Sequence, residues 1–91
     1  MARRLTSVED REHGRRLGGL IAAGRRGRGE SAPDLARRSS VAIDTVRSLE
    51  GGRVATPTFL TIARLAEALG LSLDELHASA AGRGRAGAVP K

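Results

Sequence analysis

Residues 32–53 read APDLARRSSVAIDTVRSLEGGR, and their spacing sets the architecture. With Ala32 as the first position, small Ala36 falls at the fifth and Ser40, a turn residue, at the ninth. Apolar Leu35, Val41, Val46 and Leu49 fall at the fourth, tenth, fifteenth and eighteenth. Two short helices joined by a tight turn satisfy this pattern. Ala36 lets the helix backbones approach, while Leu35, Val46 and Leu49 bury the inner faces. Val41 anchors the turn. The outer face of the second of these helices, Ile43, Asp44, Arg47 and Ser48, is left without a core duty.

Working outward, Thr6-Ser7-Val8-Glu9 has the form of a capping box, with Thr6 accepting from the third helical N–H and Glu9 reaching back. A first helix follows to about Arg26, its apolar face carrying Leu17, Leu20 and Ile21. Gly14, Gly18, Gly19 and Gly24 weaken it, each by about 1 kcal/mol relative to Ala. Residues 27–29 end it. Ser31 caps the next helix, which tolerates Pro33 in its first turn, gains from Asp34 at its positive pole, and runs to about Arg38. Ser39 and Ser40 make the turn. A third helix spans about residues 42–50, stopped by Gly51 and Gly52. Thr56 and Pro57 cap and start a fourth, with Phe59, Ile62, Ala63, Ala66 and Leu69 at helical spacing. Gly70 ends it, and Ser72 with Glu75 opens a fifth. The chain thus divides into a basic arm and the start of the first helix (1–16), a helical domain (17–78) and a basic tail (79–91). From Ala80 onward that tail cannot bury a core and is expected to be disordered.

Ninety-one residues allow one small domain and little room for an enzyme's cleft. With no cysteine, disulfides and thiolate metal sites are excluded. No apolar run approaches the roughly 20 residues of a membrane span, and no leader peptide is visible, so a cytoplasmic, nucleoid-associated protein is expected. Net charge is +6, unevenly spread. Residues 1–28 carry eight Arg against Glu9, Asp10 and Glu12, whereas residues 29–78 carry five Arg against seven acids. Arg83, Arg85 and Lys91 make the tail positive. A basic balance points toward nucleic acid. Fifteen Arg against one Lys, with abundant Ala and Gly, also fits the base composition of a GC-rich genome.

Three stretches together carry a resemblance: Ser31 to Arg38 with Leu35-Ala36, Val41 to Glu50, and Leu65-Ala66-Glu67-Ala68-Leu69-Gly70-Leu71-Ser72-Leu73-Asp74-Glu75-Leu76. With Glu50-Gly51-Gly52-Arg53 and Thr56-Pro57-Thr58-Phe59-Leu60, they resemble the Cro/C1 (XRE) family of helix-turn-helix transcriptional regulators over about residues 17–77. The resemblance implies an all-α, five-helix bundle of the phage repressor type with basic flexible ends, and a third helix placed in the major groove of double-stranded DNA. It also implies an ion pair between Arg25 and Glu50 that fixes the recognition helix against the first.

Under that resemblance, Ala42, Ile43, Asp44, Arg47 and Ser48 occupy the base-reading positions. Arg47 suits guanine through two hydrogen bonds, and Ile43 a thymine methyl. Asp44 more simply compensates the helix dipole. Phosphate contacts fall to the free N–H groups of Ser31 and Ala32 (where relatives often carry Gln), to Arg38, with Arg26 adding charge, and to Thr45, Arg53, Thr56 and Thr58. Three departures stand out: Glu30 sits where relatives bury Leu, Ser40 where many have Gly, and the helix-turn-helix itself is net acidic.

The expected partner is DNA, bound by a homodimer whose surface includes Leu71, Leu73 and Leu76 on the fifth helix. An alternative is an antitoxin-like module that neutralises a partner protein, although Val89 is the tail's lone apolar anchor. Catalysis is not expected. The Gly-rich stretch at 24–29 follows a helix rather than a strand, so it is no phosphate loop. No cofactor or metal is expected, since no ligand cluster has metal spacing. His13 and His77 are far apart in sequence and are read as separate surface residues. RNA binding is disfavoured by the lack of stacking aromatics.

Overall fold

The computed structural model describes residues 7–82. Five helices follow one another: α1 (Val8–Gly27), α2 (Ala32–Ser39), α3 (Ile43–Glu50), α4 (Phe59–Leu69) and α5 (Leu73–Ala80). No strand occurs among the described residues, so the molecule is all-α, as its sequence predicts. The basic arm, Thr6 and the tail beyond Gly82 lie outside those residues.

Four of the five helices start where a hydroxyl can take up a free amide. Ser7, one residue later than expected, accepts from Asp10 N–H at 3.0 Å. Ser31 and Asp34 form a reciprocal capping box. Thr58, rather than Thr56, caps α4, because residues 53–57 remain in the loop. Ser72 accepts from Glu75 N–H. Only α3 lacks such a bond, since Ala42 stands at its cap. Ser40 is left-handed at φ 61°, a conformation that costs L-residues about 1–2 kcal/mol. Its N–H and that of Val41 both return to the Ala36 carbonyl and close α2. Buried Ser39 donates from its Oγ to the Leu35 carbonyl at 2.7 Å, so its hydroxyl is satisfied inside the turn.

The core is aliphatic. Ile21, Leu35, Val46, Leu49 and Leu65 are fully enclosed, with Leu17, Ile62, Leu69 and Leu76 around them. Two expectations about it are corrected. Phe59, assigned to the inner face of α4, is 74 % exposed, because it is the first residue of the helix and points past the core edge. Ala80, assigned to the tail, is the last helical residue and is fully buried; its carbonyl accepts from Arg16 Nε.

The glycines of α1 are also corrected. The helix is continuous over 20 residues. Gly14 and Gly18 stand on the side that meets α3 and the loop after it. A Cβ at Gly18 would lie 1.8 Å from the Leu49 carbonyl oxygen, and one at Gly14 would lie 2.4 Å from that of Val54. These two glycines permit backbone-to-backbone contact, whereas Gly19 faces open space.

His13 on α1 and His77 on α5 are brought together, contrary to the expectation, with ring centroids 5.6 Å apart. They border a cleft of about 400 Å³ with Leu17, Phe59, Ile62 and Leu73. His13 Nε2 is buried without a hydrogen-bond partner among the described residues. Burial, then the nearby His77 and Arg16, push the His13 pKa below its ordinary value. No group of three His, Cys, Asp or Glu able to hold a metal occurs among the described residues.

Two outcomes are expected. Gly18→Ala should lower stability in urea denaturation by about 3 kcal/mol, because the added methyl meets backbone that cannot rotate away. Gly19→Ala should instead raise stability by up to about 1 kcal/mol. Second, the unfolded chain binds a proton at His13 more readily than the folded chain does, so stability is full above the ordinary His pKa of 6.5 and falls as pH drops toward the lowered folded value. Denaturation midpoints measured across this window should fall on acidification, and His13→Gln should flatten the fall.

Candidate nucleic-acid interface

The exposed side of α3 is built by exclusion. Val46 and Leu49 point inward and are fully buried, which turns Asp44 and Arg47 outward. Ala42 is exposed as well, while Thr45 and Ser48 are half-buried. Ile43 is half-buried and packs against the core cluster, so only part of it faces out. Ala42, Asp44 and Arg47 therefore present their side chains to solvent, with Ile43, Thr45 and Ser48 at the margins of that face.

The position of α3 is held at its C-terminal end. Arg25 Nε donates to Glu50 Oε2 at 2.8 Å and Nη2 to Oε1 at 2.9 Å, a two-pronged pair. The third edge of the same guanidinium, Nη1, donates to the Glu30 carbonyl at 2.6 Å. Both side chains are mostly buried, at 14 % and 12 % exposure. The hydrogen bond to Glu50 raises the Arg25 pKa and keeps the guanidinium charged. One residue of α1 thus ties together the end of α3 and the start of α2. With all three of its guanidinium nitrogens engaged, Arg25 has a structural task.

Apart from Thr45, which is half-buried on α3, the expected phosphate contacts fall into two groups. At the start of α2 the seat is already taken. The Ser31 amide donates to Asp34 Oδ2 at 3.1 Å, and the Asp34 amide to Ser31 Oγ at 3.2 Å. Those bonds to Ser31, with Arg37 beside it, hold the Asp34 carboxyl below its ordinary pKa. The anion is built in, which leaves Ala32 the free amide there and sets a negative charge beside it. Arg38 is likewise engaged: its guanidinium meets both oxygens of Glu30, at 2.5 and 2.8 Å. This pair lowers the Glu30 pKa and explains how a charged Glu30 occupies a largely enclosed position. Arg26 is exposed at the far end of α1.

The loop between α3 and α4 forms the second group. Arg53, Thr56 and Thr58 are exposed there. The Arg53 amide donates to the Ser48 carbonyl, and its guanidinium lies over Gly51, so the residue is moored to the end of α3. Thr58 caps α4 through Thr61 and keeps its outer side open. Arg11 and Arg15, which sequence reasoning passed over, reach the same loop from α1. Arg11 lines a concavity with Gly52, Arg53, Val54, Ala55 and Thr56, and the Arg15 stem lies against Gly52. The signal was the four-residue spacing of Gly14 and Gly18, which marks a face of close approach.

No helix among the described residues is long and apolar enough to cross a membrane. No curated protein matches the chain. The family described as "Helix-turn-helix domain" matches residues 16–79, a segment that begins in the middle of α1 and ends within α5. That match covers well over half of the sequence and contains both helices of the turn and the clamp that holds them, and the chain belongs to the Helix-turn-helix domain family.

Proposed function

We propose that this protein is a transcriptional regulator of the Cro/C1 type that binds double-stranded DNA sequence-specifically on the nucleoid, with α3 in the major groove. The observation that carries this reading is the outward face of α3: Asp44 and Arg47 serve no fold contact, yet the helix bearing them is fixed by a mostly buried ion pair. A rigid helix with an unused polar side suits reading of base edges. Arg47 supplies the guanine contact, with Ala42, Ile43, Asp44 and Ser48 shaping the surface around it. Arg53, Thr56, Thr58 and Thr45 supply positioning contacts to the backbone, which carry affinity but little sequence information.

The same reading includes a dimer on a two-fold operator, whose recognition helices would stand about 34 Å apart. Of the three leucines expected at the dimer surface, Leu76 is buried and Leu71 is half-buried. Leu73 remains, at 37 % exposure, and borders the same cleft as Phe59. Phe59 is the single aromatic of the chain, and leaving it in water forgoes apolar burial worth roughly 1.5–3 kcal/mol. A second copy covering Phe59 and Leu73 supports this arrangement energetically.

Two measurements test these points. With a duplex selected by the protein from a random library, Arg47→Ala should reduce discrimination against a changed guanine by about 1–3 kcal/mol. Arg53→Ala should weaken all duplexes alike and make the salt dependence shallower by about one phosphate contact. If both variants keep the parent's preference and affinity, α3 does not read DNA. In sedimentation, the parent should reach a dimer at micromolar concentration and Phe59→Asp should remain monomeric with an unchanged helical spectrum. A parent that stays monomeric, or copurifies with a different protein seated on Phe59, overturns the homodimer.

A further inference from the structure

The first two turns of α1 precede the family-matched segment, which begins at residue 16. They are nevertheless joined to the recognition unit. Residues 11, 14, 15 and 18 share one helix face. Gly14 and Gly18 press that face onto the backbone of Leu49, Val54 and Ala55. This contact fixes where Arg11 and Arg15 lie. The Arg15 Cγ is the atom that a Cβ on Gly52 would meet first, at 3.1 Å. Arg11 lines a concavity of about 600 Å³ with Arg53 and Thr56, just beyond the C-terminal end of α3. The acid nearest Arg15 is Glu12, an exposed partner at 3.7 Å that also faces Arg16 at 3.7 Å. Exposed pairs of this kind are worth little and are readily exchanged for a stronger anion.

We propose that Arg11 and Arg15 grip a DNA backbone phosphate, together with Arg53 and Thr56, as an addition to the contacts of the helix-turn-helix. The ligand is one phosphodiester of the same duplex that α3 reads, lying beyond the end of the recognition helix. The inference rests on the DNA-binding reading above and extends it to a part of α1 outside the matched segment. Arg11 and Arg15 act on affinity and on the length of DNA engaged, since a phosphate presents the same charge whatever its base.

The test uses the full chain with Arg11→Ala and Arg15→Ala combined, and a duplex selected by the parent protein. Affinity is measured by fluorescence anisotropy across a salt series. Loss of one phosphate contact should make the slope of log affinity against log salt shallower by about 0.9 and weaken binding about eight-fold near 0.1 M salt. Base preference in a repeated selection should not change. Arg11→Lys with Arg15→Lys should retain most of the affinity, because the charge remains. Ethylation interference gives an independent reading: one phosphate beyond the α3 contacts should block the parent when ethylated and become indifferent in the alanine variant. Equal affinity, slope and interference pattern for parent and alanine variant would overturn the proposal while leaving the reading by α3 intact. Failure of the parent to select any duplex would instead remove the DNA-binding reading, and this contact with it.

Discussion

Direct backbone contact between α1 and the end of α3 governs the arrangement of this molecule. At Gly18 the two chains meet so closely that a side-chain carbon would lie inside the radius of the Leu49 carbonyl oxygen. At Gly14 the loop after α3 also comes within contact, the Val54 carbonyl oxygen lying 2.4 Å from such a carbon. Side-chain packing tolerates small adjustments because rotamers can change, but two backbones in contact have no such freedom. The inclination of α3, and so the direction of its polar face, follows from where α1 runs. Glycine inside a helix carries an entropic cost, and here that cost is offset by a contact that no larger residue permits.

A second restraint acts at the same end of α3. The Arg25–Glu50 pair is two-pronged and mostly enclosed, and Arg25 also holds the chain entering α2 through the Glu30 carbonyl. Such a pair is a poor source of net stability, because both charges give up water to form it. Its value lies in direction: a planar guanidinium between two fixed acceptors admits one geometry. The short α3, which lacks a side-chain cap at Ala42, is therefore anchored at its far end and by its buried face rather than at its start.

Much of this was legible in the sequence. The offsets of Leu35, Ala36, Val46 and Leu49 specify two helices and a turn, and serine or threonine before apolar runs marks helix starts. Ser40 was read as the turn residue, and it closes α2 at a positive φ. Boundaries slipped where several hydroxyls compete: Ser7 lies beside Thr6, and Thr58 beyond Thr56, and the choice depends on where the chain turns. Long-range placements were not legible. Nothing local announces that His13 and His77 meet across two helices, that Glu30 folds over to Arg38, or that Asp34 fills the anion seat at the start of α2. The glycines of α1 were misjudged for a similar reason, because propensity describes a helix alone, whereas Gly14 and Gly18 answer to a neighbouring backbone.

The arginine content also reads differently once each guanidinium has an address. Arg25 is consumed by Glu50 and Glu30, Arg38 by Glu30, Arg37 by Asp34, and Arg16 by the last carbonyl of α5. Three of these guanidinium groups are thus matched by a carboxylate before any polyanion arrives, whereas Arg16 keeps its charge beside a neutral carbonyl. The long-range pull on a nucleic acid comes from the remaining exposed cations, which among the described residues include Arg47 on α3 and Arg53 just past its C-terminal end. Orientation, more than strength of attraction, is what such a lopsided charge imparts to an encounter.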